Sequence, residues 1–319
     1  MKNKIADIPY GGLNAYRINT AKPVFDEEVL EIFKHFVAER YKMHILKDVE
    51  GKPFPWTNDQ ILSMYRFTNV RREQDKNSKY LLGIMKEHGN KFTYDMLCNI
   101  MTFRLFNHID TYKLVGDWID FEAYDEKKVR SQLASAPKDH HYYTNAYMTS
   151  GTIRGFREML PYKEEFKVMN IPNIVNIFGP VLYSAISVAE SPQEVIDAFE
   201  TLRGINDFIA YQLFVDLTFL DDFPWSENEF VLSGPGCSRG LRYLFRDNDG
   251  LSDEELLFWL RDNCPVTKEW CMVNMTDLPE YDRCMNVMSL ENCMCELSKY
   301  MRAYYDTGRP RRLYKIGEV

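Results

Sequence analysis

The segment Leu290-Glu-Asn-Cys-Met-Cys-Glu-Leu-Ser-Lys-Tyr300 carries the residues best suited to proton chemistry. On a helix, Asn292, Glu296 and Lys299 line up at i, i+4 and i+7, while Leu290, Cys293, Leu297 and Met301 form a separate apolar stripe. A carboxylate beside a lysine is a general base whose neighbour sets its charge or holds a phosphate. The same pair on a solvated face is worth only about 0.2–0.5 kcal/mol. Arg66-Phe-Thr-Asn-Val-Arg-Arg-Glu-Gln-Asp75 reads as polar side chains set into an apolar helix and its last turn, with Thr68, Arg72 and Asp75 on one face. Its Arg66, Asn69 and Arg72 suit a phosphate or a base edge, and a surface Arg72–Asp75 ion pair accounts for part of the same pattern. Arg104-Leu-Phe-Asn107 repeats the theme in a still more apolar segment, either as a satisfied buried network or as the wall of a site.

Leu202-Arg-Gly-Ile-Asn-Asp-Phe-Ile-Ala-Tyr-Gln-Leu-Phe-Val-Asp216 reads as the hairpin and second helix of a helix-hairpin-helix over residues 191–220. Ser191-Pro-Gln-Glu194 opens the first helix with an N-cap serine, a proline at the first helical position and a capping-box glutamate. Gly204 breaks that helix, and Ile205, Phe208, Ile209, Leu213 and Leu217 restart one. Such a turn can offer backbone N–H groups to a phosphate, with Gly204 supplying positive φ and Asn206 the next most tolerant residue there. An ordinary helix–helix turn explains the same residues. Gly234-Pro-Gly236 is a second turn that opens a helix, and Arg239 follows it.

These side chains must be positioned by a mainly α scaffold. Val29, Ile32, Phe33, Phe36 and Val37 mark an amphipathic helix after Asp26. Thr57-Asn-Asp-Gln60 begins a helix through Tyr65 toward Val70, and Thr93 caps an apolar segment from Met96 to Leu114 that Arg104 and Asn107 interrupt. Ile174–Val188 fits a buried helix, Ser252-Asp-Glu-Glu255 begins another, and Ser289–Tyr305 forms the last. Tyr142–Met148 is the best candidate for an extended piece, and the polar Ser131–His141 region is the nearest approach to a boundary. The expected architecture is one domain over residues 1–319, built as two helical lobes around a cleft.

Across 319 residues, 39 Lys and Arg against 47 Asp and Glu leave a net charge of −8, the wrong sign for nonspecific coating of nucleic acid. Local basic clusters exist at Arg66, Arg71 and Arg72 and at Lys299, Arg302, Arg309, Arg311, Arg312 and Lys315. No apolar run is long enough to span a bilayer and the N-terminus has no signal core, so the expectation is a cytoplasmic protein with no membrane partner. Of seven cysteines, Cys264-x6-Cys271 matches the start of an iron–sulfur loop, but the gaps to Cys284 and Cys293 do not, so reduced thiols and no metal ligands are expected. P-loop, zinc-deaminase, Rossmann and serine-hydrolase signatures are absent.

Five motifs occur in order: Arg66-Phe-Thr-Asn-Val-x-Arg-x-x-Asp75, Arg104-x-x-Asn107, Gly204-x-x-x-Phe-x-Ala-Tyr-Gln-x-x-x-Asp216, Gly234-Pro-Gly-x-x-Arg-Gly240 and Asn292-x-x-Cys-Glu-x-x-Lys-Tyr300. From about Asn58 to Tyr314 the chain resembles the α-glutamyl/putrescinyl thymine pyrophosphorylases of bacterial viruses, the amino acid:DNA transferases. The same helical module accompanies some hydroxymethyluracil DNA kinases. The resemblance implies a relation to helix-hairpin-helix DNA glycosylases. Where those enzymes carry a catalytic aspartate, this chain has Ser233 or Gly234, which disfavours glycosidic cleavage.

The implied partners are double-stranded DNA with a modified thymine and an amino acid or polyamine. The amine displaces pyrophosphate from the exocyclic carbon of 5-pyrophosphoryloxymethyl-deoxyuridine, with the base extruded into a pocket. The implied roles are Arg72 and Arg239, with or without Mg²⁺, on the pyrophosphate. Asn107 takes the base edge, Asp216 or Glu296 the proton and Lys299 the charge balance. Arg66, Asn69, Arg104 and Gln212 join the substrate- and phosphate-binding set, and Gly204, Asn206, Gly234 and Gly236 the DNA-backbone contacts. Two other readings stay open, a glycosylase acting on a modified pyrimidine and a non-catalytic DNA-binding partner of a hydroxymethyluracil DNA kinase. Which amine is used is not legible in the motifs.

Overall fold

The computed structural model describes residues 10–160, 170–263, 285–310 and 312–314, so Cys264, Cys271, Cys284, Arg311 and Lys315 lie outside the described residues. The fold is mainly α, with a single two-stranded sheet among those residues. The chain divides into two compact units, Lys76–Ser226 and a unit assembled from Met1–Asp75 and Glu227–Val319. The divisions fall at Asp75 and Ser226, not in the Ser131–His141 region, where the Tyr142 hydroxyl donates to the Leu133 carbonyl at 3.0 Å and ties that stretch to its own unit.

The terminal unit contains α1 (Ala15–Thr20), β1 (Val24–Phe25), α2 (Glu27–His44), α3 (Gln60–Met64), α12 (Pro235–Leu244), β2 (Phe245–Asp247), α13 (Asp253–Asn263) and α14 (Val287–Tyr304). The expected apolar stripe of α2 is buried at Val29, Phe33, Phe36 and Val37, and Asp26 caps the helix by accepting the Val29 N–H. β1 pairs antiparallel with β2, stacking Phe25 on Phe245. At α13, Ser252 and Glu255 exchange the reciprocal bonds of a capping box. α12 lies against α14 through glycines four residues apart. A β-carbon on Gly236 would stand 2.5 Å from Cys295 Sγ, and one on Gly240 2.1 Å from the Met294 carbonyl oxygen. The second neighbour is helix backbone and cannot turn aside. Gly240→Ala is therefore expected to cost about 3 kcal/mol, measured as a lower urea midpoint.

α3 ends at Met64, so Arg66–Asp75 is not a helix and Thr68, Arg72 and Asp75 share no helical face. The backbone finds other partners. Tyr65 bridges Leu313, the Arg66 N–H donates to the Arg312 carbonyl at 2.9 Å, and only Arg72–Gln74 turn as a short 3₁₀ segment.

The central unit contains α4 (Lys76–Glu87), α5 (Tyr94–Phe106), α6 (Ile109–Leu114), α7 (Glu126–Ala134), α8 (Ser150–Met159), α9 (Ile171–Ser187), α10 (Pro192–Glu200) and α11 (Asp207–Leu217). α5 is buried all round from Met96 to Phe106, which explains its lack of an amphipathic pattern. The expected continuous helix to Leu114 is two helices, because Asn107 takes a left-handed conformation (φ 48°) and ends the first. α9 is not wholly buried: Ile174, Val175, Leu182 and Ile186 face the core, whereas Val181 is 69% exposed. Tyr142–Met148 forms turns and no strand.

Candidate active site

The centre of the terminal unit is a group of carboxyls that packing holds out of water. Asn286 caps α14, whose stripe of Leu290, Cys293, Leu297 and Met301 is fully buried. That anchoring rotates Glu296 inward, leaving it 3% exposed. One of its oxygens, Oε1, accepts from Lys299 Nζ at 2.5 Å, and Lys299 stays 38% exposed. The other, Oε2, is buried and has no hydrogen-bond partner among the described residues. This is not the exposed pair of the weaker sequence reading. A carboxylate oxygen out of water without a donor is a costly arrangement that a ligand donor would relieve.

Glu291, one turn earlier, was not singled out in the sequence. It accepts the Gly234 N–H at the start of α12, and burial pushes its pKa up to about 7. The Gly234 amide, Arg72 and Lys299 work against that rise, and Glu296 adds to it. Asp75 is raised to about 6, again by burial first, against the Asn69 N–H and the Arg72 and Arg40 charges. The available signal for Glu291 was the match of its face, shared with Cys295 at i+4, to the small-residue face Gly236-x-x-x-Gly240.

Arg40 of α2 is the other residue that sequence reading missed, and it shapes the Arg66–Asp75 segment. Its Nε donates to the Thr68 carbonyl at 3.0 Å and its Nη2 to the Thr68 and Asn69 carbonyls at 2.6 and 3.0 Å. Thr68 Oγ1 accepts from Asn292 Nδ2 at 3.1 Å, joining the segment to α14. The Asn69 N–H donates to Asp75 Oδ1 at 2.9 Å and its side-chain amide to the Gln74 carbonyl at 2.8 Å. This loop sets Arg72 close enough to act on both Asp75 and Glu291. The Arg66 guanidinium lies over the Tyr314 ring at 5.3 Å, and Arg239 is exposed on α12.

The remaining sequence candidates belong to the central unit. Asp216 on α11 is 1% exposed and takes Arg104 Nε and Nη2 in a two-pronged pair at 2.5 and 2.6 Å. Burial opposes the Arg104 charge, but Asp216 and Tyr147 outweigh it and raise its pKa. Arg104 Nη1 donates to Asn107 Oδ1 at 3.2 Å, Asn107 Nδ2 to Thr144 Oγ1 at 3.0 Å, and Asn77 Nδ2 to the Asn107 carbonyl at 2.8 Å. Gln212 accepts from the Tyr147 hydroxyl at 3.4 Å. Arg104, Asn107 and Asp216 thus form a network whose members satisfy one another.

Gly204 has φ +102°, as its expected role requires. The close approach it permits is internal, since a β-carbon there would stand 2.6 Å from the Thr152 carbonyl oxygen of α8. Asn206 is extended (φ −110°) and caps α11 by accepting the Ile209 N–H. Ser191 caps α10 by accepting the Glu194 N–H, and Glu194 returns a bond to the Glu190 N–H. Among the described residues no three His, Cys, Asp or Glu side chains are grouped to hold a metal ion. Among the described residues no helix is long and apolar enough to cross a membrane.

Mainly helical architecture and this ordered set of motifs define a class. The family model for the 5-hmdU DNA kinase helical domain matches residues 27–309, and the chain belongs to that family. It is 26% identical over 291 residues to the 5-hmdU DNA kinase of Bacillus phage SP10, a match covering 86% of this chain and 45% of that protein. The chain therefore spans about half the length of the curated relative it matches. No solved structure matches.

The raised carboxyl pKa values have a thermodynamic consequence. Asp75 moves from 3.8 to about 6 and Glu291 from 4.5 to about 7, so the folded state holds protons that the unfolded chain has released. Their contribution is fully present below about pH 4 and is lost as pH rises through 6 and 7. Thermal unfolding should show stability falling by about 5–6 kcal/mol between pH 4 and pH 8 from these two groups together. Glu291→Gln should flatten the upper part of that slope.

Proposed function

We propose that this chain is a DNA-modifying transferase that joins an amine to an activated thymine. The amine nitrogen attacks the exocyclic methylene carbon of 5-pyrophosphoryloxymethyl-deoxyuridine in DNA. The carbon–oxygen bond breaks, pyrophosphate leaves with the electron pair, and the ammonium proton passes to a carboxylate. The observation that carries this reading is Glu296, a buried carboxylate whose Oε2 has no donor among the described residues while Lys299 is bonded to Oε1. A neutral amine offers the missing donor and then the proton. Arg72 and Lys299 supply positive charge for the leaving group. Asp216 serves better as the counter-ion of Arg104, which favours Glu296 as the base. The α10–α11 turn at Gly204, with Asn206 at the start of α11, is the proposed contact to the DNA backbone, whereas the Gly234 N–H is taken by Glu291 and Gly236 faces Cys295. Arg239, exposed on α12, is a further pyrophosphate ligand.

Membership in a kinase's helical-domain family favours one second reading, a DNA-binding module that serves a separate kinase. Incubation of pyrophosphorylated hydroxymethyluracil DNA with the protein and single amines separates the two. Nucleoside mass spectrometry should reveal a new nucleoside, with one pyrophosphate released for each. Tight DNA binding with no new nucleoside and no pyrophosphate from any amine would leave the binding module. Abasic sites would instead identify a glycosylase.

A further inference from the structure

Thr149 caps α8 by accepting the Thr152 N–H, and Thr152 and Phe156 turn one face of that helix into the core. At helical spacing the opposite face carries Ser150, Arg154 and Arg157, all exposed. Resting on the reading of the α10–α11 turn as a DNA contact, we propose that this outer face of α8 is the phosphate-binding surface that seats double-stranded DNA against that turn.

Two charges on this face are uncompensated. In the central unit Arg104 pairs with Asp216, Arg130 with Glu126 and Arg203 with Glu158. Arg154 and Arg157 have neither a carboxylate partner nor a hydrogen bond among the described residues. Glu158, the acidic residue of α8, is drawn toward the turn by Arg203 Nη1 at 3.3 Å. Arginines three residues apart on one face repel, and phosphates laid along them remove that repulsion. Ser150, Arg154 and Arg157 span about 10 Å of helix, over which one DNA strand presents about three phosphates.

The row is also fixed to the turn. A β-carbon on Gly155 would run into the Gly204 nitrogen, and one on Gly204 into the Thr152 carbonyl oxygen, so α8 and the turn meet backbone to backbone. The Arg203–Glu158 pair adds a side-chain tie between them. The other flank of the turn has the opposite sign. Asp197 and Glu200 of α10 and Asp207 of α11 act on one another there, with Glu200 and Asp207 sharing a hydrogen bond. A strand entering over α10 meets carboxyls, whereas one entering over α8 meets guanidiniums. In a chain of net charge −8, this local polarity decides the side from which DNA approaches.

Fluorescence anisotropy of a short unmodified duplex, titrated with the full chain at several KCl concentrations, tests the surface apart from the chemistry. Arg154→Ala/Arg157→Ala should weaken binding by about tenfold or more and reduce the salt slope by about 2, with an unchanged melting temperature. Arg154→Glu/Arg157→Glu should weaken it further. Lys127→Ala/Lys128→Ala removes the same charge from an exposed pair on α7 and should leave the slope unchanged. Glu200→Gln should bind as tightly as wild type or more tightly. Wild-type affinity and slope in the α8 alanine variant overturn the proposal. So does an equal loss in the α7 variant, which makes the attraction a matter of net charge, or weaker binding in Glu200→Gln, or a wild-type chain that binds no duplex. A chain that binds the duplex through α8 and transfers no amine overturns only the reaction. Amine transfer at the full rate without the two arginines overturns only this surface.

Discussion

Asp216→Ala should destabilise the protein by about 3–5 kcal/mol, read as a large fall in the urea midpoint and loss of the cooperative transition of the central unit. Asp216 is buried on α11 and Arg104 on the all-buried α5, and they meet in two parallel bonds. Removing the carboxylate leaves a guanidinium in a low-dielectric interior beside neutral groups, Asn107 Oδ1, Tyr147 and the Phe103 ring. The cost is that of an uncompensated buried charge, larger than the net worth of the intact pair. Arg104→Met in the Asp216→Ala background should recover part of the loss, because the orphaned charge is gone. A stable, fully folded Asp216→Ala protein with wild-type unfolding would show that this pair does not hold the unit together. If that variant also lost only turnover, Asp216 would return as the candidate base.

Glu296→Gln should lower the rate of pyrophosphate release by about 10²–10⁴-fold while leaving the fold intact. Glutamine keeps the shape and burial of the side chain and removes its proton affinity. Lys299 is 38% exposed, so its ammonium can turn to water when the partner charge is lost. The fold is monitored by circular dichroism and the chemistry by single-turnover release of pyrophosphate with saturating DNA. If Glu296 is the base, the wild-type rate falls toward acid pH and Glu296→Gln no longer shows that fall. Full activity in Glu296→Gln would remove Glu296 from the proton's path. The nearby Glu291, raised to about 7, would then be the next carboxyl to change.

Helices announced themselves where both an end signal and a period were written locally. Asp26, Ser191, Ser252 and Thr93 each accept the N–H three residues on, and each was visible as a cap beside an apolar pattern. The stripe of α14 was equally legible, because Leu290, Cys293, Leu297 and Met301 recur at helical spacing. The segment from Tyr65 to Asp75 was misread for the opposite reason. Its conformation is set by partners far away in sequence, the Arg312–Tyr314 backbone and the Arg40 guanidinium, and no local spacing records them. Asn107 was taken as an interruption within a helix, when its short polar side chain let it adopt the left-handed turn that ends one.

The sequence by itself determined a mainly α protein, most of its helix starts and the residues with the capacity for charge chemistry. Those properties depend on side-chain type and on neighbours within a turn. Only the tertiary structure decided which buried carboxylates have donors on both oxygens and which on one. Asp216 and Glu296 look alike as acids in apolar helices. Asp216 meets an arginine 112 positions away that satisfies both of its oxygens, whereas Glu296 meets a lysine one turn on that satisfies one. The difference is a matter of which donors packing brings to a buried oxygen, and burial is a property of the folded chain alone.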